Sequence, residues 1–179
     1  KTGDWDCTKG PMDADTKMLF IWEPGMPAFQ FPEKSGVRVE AATRIRIAVL
    51  YKNDGKSDVT DSSGLKVNHI LATGNKWKLF TQFVTDINLD PGAVTQASLG
   101  CPAKARYKML AVSPHLHKHG TSYISELIRK DGSREELIFL SNFDASKHLR
   151  LYKAPFTMEG GDKLVTTCAW HNKTKNTVK

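Results

Sequence analysis

The sequence predicts an all-β protein of the jelly-roll-like β-sandwich class. Few windows hold the 3.6-residue period of an amphipathic helix. Short apolar or alternating runs recur instead, and turn signals separate them about every ten residues. Many short strands at that spacing argue a sandwich or jelly roll.

In chain order, Leu19 to Trp22 is an apolar run closed by Glu23-Pro24-Gly25, and Val37 to Glu40 follows the turn Lys34-Ser35-Gly36. Arg44 to Tyr51 alternates well. Ile45, Ile47, Val49 and Tyr51 share one face, and Arg44, Arg46, Ala48 and Leu50 the other. Asn53 to Gly64, rich in Asp, Ser and Gly, reads as a loop. Leu65 to Ala72 and Lys76 to Thr85 are further strand candidates, and Asp90-Pro91-Gly92 is a turn. Tyr107 to Val112 is a strand leading into the densest polar cluster of the chain. Tyr123 to Ile128 and Glu135 to Leu140 flank Lys130-Asp131-Gly132-Ser133, and Asp-Gly between alternating runs is a strong hairpin signal. Gly160-Gly161-Asp162 is a turn before the strand Lys163 to Trp170. Internal repeats and low-complexity segments are absent.

A chain of 179 residues is one ordinary domain or two small ones. With 40% apolar and 25% charged residues it is neither a disordered tail nor a collagen-like chain. No stretch approaches the ~20 apolar residues of a membrane-spanning helix. The net charge is +7, but Lys and Arg are scattered singly, so no nucleic-acid partner is expected. The three cysteines, Cys7, Cys101 and Cys168, allow at most one intrachain disulfide and contain no CxxC pair. The chain starts at Lys1 without a basic and then apolar leader, so any signal peptide is expected to be already gone or never present. Asn172-Lys173-Thr174 is a glycosylation sequon, which matters in a secreted protein. The sequon and the cysteines together lean towards secretion.

Chemistry concentrates in Pro114-His115-Leu116-His117-Lys118-His119-Gly120, which holds three of the six histidines. On an extended strand His115, His117 and His119 point one way, with neighbours about 6.5 to 7 Å apart. Two imidazoles can converge on one metal from that distance, each ~2 Å from it. The third starts about 13 Å from the first and needs a bend to join. The spacing therefore favours His115 and His117 as a pair with His119 outside it. Imidazole suits copper, zinc, iron or nickel. The bland reading of the same residues is the polar face of a surface strand. His171, after Cys168-Ala169-Trp170, is a candidate third ligand or a polar residue at a strand end. His69 and His148 read as ordinary polar residues. The methionines at 12, 18, 26, 109 and 158 read as core or gap filler. No Ser/His/Asp elbow, P-loop or GxGxxG occurs.

Taken together and in order, these segments resemble the copper type II, ascorbate-dependent monooxygenases. Leu19-Phe20-Ile21-Trp22-Glu23-Pro24-Gly25, followed by Phe31-Pro32-Glu33-Lys34-Ser35-Gly36-Val37, is similar to the family's "AWAPG…P…GV" segment. Val49-Leu50-Tyr51-Lys52-Asn53 resembles "VHYHN", and Asp61-Ser62-Ser63-Gly64 resembles "DSSG". Pro91-Gly92 with Cys101 resembles the opening of the family's second domain. His115-Leu116-His117 resembles "HTH", Arg129-Lys130-Asp131-Gly132 resembles "VRDG", and Gly161 to Trp170 resembles "GDxLxxxCxY".

The resemblance implies two β-sandwiches with one copper each. Residues 1–72 would be a remnant of the first and 73–179 the second, the chain being truncated at both ends relative to the family. His115 and His117 would carry over as ligands of the second-domain copper, one per chain. That copper activates O2 for hydroxylation of a C–H bond, with ascorbate as reductant. The family's third ligand there is a Met lying beyond the matched region. The disulfide partners of Cys101 and Cys168 would lie beyond it as well. Leu50 stands where the first domain's copper-binding His is expected, which implies that the electron-transfer site is missing.

Two functions follow. One is a copper monooxygenase, or a piece of one, acting on a small-molecule or peptide substrate. The other is a catalytically lapsed, secreted β-sandwich that serves as a binding or structural module. Both place the chain outside the cell or in the lumen of the secretory pathway. A partial first sandwich would leave strand edges and an apolar face for another chain to cover. A jelly-roll module related by accident is the third reading.

Overall fold

The computed structural model describes residues 16–71, 74–84, 86–144 and 149–178. Cys7, Met12 and His148 lie outside them. The described residues form strands and no helix, as the spacing of turns requires. The chain divides into two compact units, Lys1–Ile21 with Phe29–Phe80, and Trp22–Ala28 with Thr81–Lys179.

The first unit has little regular structure. Strands β1 (Gly36–Val37) and β2 (Lys76–Trp77) pair in parallel, and the Trp77 indole N–H donates to the Ser35 hydroxyl at 2.9 Å. The expected strands at Leu19 to Trp22, Arg44 to Tyr51 and Leu65 to Ala72 do not form among the described residues. Val37 to Glu40 and Lys76 to Thr85 shrink to β1 and β2. Alternation makes a strand only where a neighbour supplies the ladder and a core takes the apolar side. Here Ile45, Ile47, Val49 and Tyr51 stay exposed, and Leu50 is 99% exposed. Asn53 to Gly64 is a loop as expected, with the Asn53 and Asp61 side chains accepting from backbone N–H groups two residues on.

The second unit is a two-layer β-sandwich. One layer is antiparallel, in the order β3 (Val94–Pro102), β8 (Lys163–His171), β5 (Gly120–Ile128), β6 (Arg134–Leu140). The other is the antiparallel pair β4 (Tyr107–Val112) and β7 (Arg150–Met158). Four of the six strands match expected runs closely. β3 and β7 carry weaker patterns. β3 holds Gln96, Ser98 and Gly100, and β7 holds Pro155 where the ladder slips between Met109↔Phe156 and Ala111↔Leu151. Proline is tolerated in a sheet at such an irregularity.

Two apolar clusters fill the space between the layers. Leu89, Leu116, Tyr123, Ile138 and Trp170 form one, and Ala103, Leu127, Leu137, Met158 and Leu164 the other. β6 serves both through a bulge. Ser125 pairs with Ile138 and Glu126 with Glu136, so Leu137 is the extra residue. Consecutive residues Leu137 and Ile138 thereby both turn inward, one into each cluster. The Leu137 carbonyl accepts from the Tyr152 hydroxyl of β7 at 3.1 Å.

Ionic and polar ties close one end. Arg129, at the end of β5, donates to Asp162 at 3.0 Å, to the Thr157 carbonyl at 2.9 Å and to Glu135. Asp162 is buried and also accepts from the Glu159 N–H at 2.9 Å. That N–H first, and then Arg129, hold its carboxyl below the usual carboxylate range, against the opposing effect of burial. The family-like "VRDG" and "GDxL" segments are thus joined by an ion pair that fastens a hairpin to a turn.

Candidate functional site

The histidine cluster lies in the connection from β4 to β5, which carries the chain from one layer of the sandwich to the other. Residues 114 to 117 alternate. Pro114 and Leu116 are buried, Leu116 in the first apolar cluster, while His115 and His117 face outward. The connection thus keeps the two-residue alternation expected of a strand although it joins no ladder. The alternation then stops. The Gly120 N–H donates to the His117 carbonyl at 2.8 Å, closing a tight turn that takes His119 off the shared face. Gly120 is required there, because a Cβ on it would come within 2.5 Å of the Leu116 Cβ.

The rings of His115 and His117 lie edge to face, with centroids 5.1 Å apart. A metal ~2 Å from one nitrogen of each ring is compatible with that separation. The donor chemistry of the pair therefore fits a soft or borderline cation that favours imidazole, copper among them. His115 also has a carboxylate against it, for its Nδ1 lies 2.6 Å from Oε1 of Glu23. Glu23 comes from the short loop Trp22–Ala28 of the same unit. That loop is a Pro-Gly turn. The Met26 N–H donates to the Glu23 carbonyl at 3.0 Å, Gly25 takes φ +93°, and the Trp22 indole N–H donates to the Met26 carbonyl at 2.9 Å. Pro before a left-handed Gly is the type II pattern, and the buried Met26 side chain anchors the loop.

His171 does not join the pair. It ends β8, and its N–H donates to the His119 carbonyl at 2.9 Å. These two histidines, with Lys118 and Lys173, line a separate open cleft of ≈ 280 Å³. Among the described residues no three His, Cys, Asp or Glu side chains stand close enough to hold one metal ion. The sequence offered His171 as a third ligand that folding could bring in, or as a polar residue at a strand end. Its register on β8 instead sets it beside His119.

The structure also places the sequon residue and two of the cysteines. Asn172, the sequon residue, is 0% exposed. Its amide donates to the carbonyls of Leu89 and Asn176, both at 2.8 Å, and its oxygen accepts from the Thr174 N–H and hydroxyl. In the folded chain that nitrogen is committed to two carbonyls, and the sequon builds a turn. Cys101 and Cys168 are free thiols. Across the β3–β8 ladder Cys101 faces Leu164 and Cys168 faces Ala97. Four residues of offset is about 13 Å along the strand, too far for a disulfide between them. Burial pushes the Cys168 thiol up to about 11.

Sequence reasoning missed Glu23, which read as the start of a turn. The available signal was that an acidic residue stands where the resembled segment "AWAPG" has its second alanine.

The sequence model of the copper type II ascorbate-dependent monooxygenase C-terminal domain matches residues 78–179. Dopamine beta-hydroxylase of Rattus norvegicus is 25% identical over 199 aligned residues, covering 94% of this chain. The chain spans about a third of that relative's length, 32%.

Proposed function

The chain belongs to the copper type II ascorbate-dependent monooxygenase family, and from that premise we propose that His115 and His117 bind one copper ion that serves C–H hydroxylation of a small-molecule or peptide substrate. The observation that carries this reading is the outward-facing pair of imidazoles, 5.1 Å apart, on a connection anchored by its alternate residues. Copper bound there supplies the one-electron chemistry that lets O2 react with a C–H bond, and ascorbate restores its reduced state. The chain's own part is to hold two nitrogen donors at fixed spacing. Pro114 and Leu116 lock the backbone from inside, so the histidines need little reordering to bind. The exposed rings leave one side open for substrate. In this reading the protein works in the secretory-pathway lumen or outside the cell.

Copper content per chain after Cu(I) loading and dialysis tests the proposal. About one copper in the parent is expected, with none in His117→Ala and with ascorbate-dependent O2 uptake lost in the same variant. A parent that retains no copper would favour the lapsed binding or structural module instead.

A further inference from the structure

We propose that Glu23 is a positioning residue for this centre, fixing the tautomer and orientation of His115 so that Nε2 is the nitrogen offered to the metal; the inference rests on the copper-binding reading of His115 and His117. An imidazole has two nitrogens, and the hydrogen bond made by one decides which remains as a donor. Oε1 of Glu23 lies 2.6 Å from Nδ1 of His115, so Nδ1 is placed to donate to the carboxylate and Nε2 is the nitrogen left to face a metal. Carboxylates in this position also restrain the ring and raise ligand basicity.

The loop carrying the carboxylate is built to stay in place. Its Pro-Gly turn fixes the backbone, the Trp22-to-Met26 bond closes it, and the Met26 side chain is buried. The Glu23 side chain is 17% exposed, against 36% for His115. A carboxylate that sheltered is costly unless it accepts hydrogen bonds, and the His115 Nδ1 is placed to give it one. His117 has its ring edge-to-face with His115, and holding one ring limits the other. Glu23 thus acts through His115 and does not count as a ligand.

The test uses the full chain and the variants Glu23→Ala and Glu23→Gln, with the fold checked by amide NMR spectra. Nitrogen-15 spectra of the metal-free imidazoles report tautomers directly. The parent is expected to show His115 protonated at Nδ1. Glu23→Ala should move His115 towards the Nε2-protonated form and weaken Cu(I) binding, in competition with a chromophoric chelator, by about 10- to 100-fold. Glu23→Gln, which keeps an accepting oxygen, should retain the parent tautomer and most of the affinity. An Nε2-protonated His115 in the parent, or a Glu23→Ala spectrum identical to the parent's, overturns the inference. If the parent binds no copper, the functional reading fails, and the tautomer spectra still decide the role of Glu23.

Discussion

Asn172 shows how a single side chain can be absorbed by folding. Its amide and carbonyl satisfy two backbone carbonyls, one backbone N–H and one hydroxyl in the segment that ties residues 89 and 178 together. Asn172→Ala removes these bonds and empties the space of a fully buried side chain, and a loss of about 1–3 kcal/mol is expected. Urea unfolding monitored by tryptophan fluorescence measures it. In a secretory expression host the folded protein should show no change in mobility on deglycosylation at this position. Cys168 offers a second check. With its thiol near 11, it should react with a disulfide reagent far more slowly at pH 8 in the native chain than in denaturant. At this scale the sequence was informative about residue type and poor about availability. The three-residue sequon and the two cysteines name chemistry, but burial and ladder register decide whether that chemistry is free.

Among the elements, the β4–β5 connection and the two turns at the Arg129 end carry the sharpest expectations. Gly120→Ala should push Leu116 out of its seat and cost about 1–3 kcal/mol by overpacking. The same change should loosen Cu(I) binding, because Leu116 lies between the two histidines. Asp162 gives a pH expectation whose sign follows from its lowered pKa. In the unfolded chain it titrates near ~4. Above that value both states are ionised and its stabilisation is whole. As pH falls through the lower folded value the native carboxylate takes its proton and the contribution disappears. Thermal melts from pH 6 downward should therefore lose less in Asp162→Asn than in the parent, starting from a lower melting temperature. The strands of the second unit were legible where alternation met a turn signal, as in Tyr123 to Ile128, Asp131-Gly132 and Glu135 to Leu140. β3 and β7 were not, because small polar residues and Pro155 blur a pattern that pairing with β8 and β4 overrides. That His115 and His117 lie side by side on one face was readable from spacing. Glu23 was not, since its contact joins residues far apart in the sequence and depends on where a turn comes to rest.

Over the whole molecule, the two units differ in how much of their apolar sequence is used. The second holds two clusters between its layers, and the first leaves Ile45, Ile47, Val49, Leu50 and Tyr51 exposed on a segment without ladder bonds. Hydrogen exchange should reflect this. Amides of residues 44 to 71 are expected to exchange within seconds to minutes, and those of β5 and β8 to be the slowest in the chain. Limited proteolysis followed by mass spectrometry should cut first in residues 44 to 71 and spare β3 to β8. Protection of 44 to 71 equal to that of β5 would show that these apolar residues are covered in solution.

Alternation in residues 114 to 117 has a consequence for inheritance. Folding reads Pro114 and Leu116, while the copper chemistry proposed above would read His115 and His117, and the two sets interleave on one stretch of backbone. A lineage can therefore edit the outward letters, trading an imidazole for another donor or for none, without disturbing the inward ones. On that proposal, catalysis and architecture would be free to diverge at separate rates within four consecutive residues, and descendants without the reaction would still inherit the sandwich.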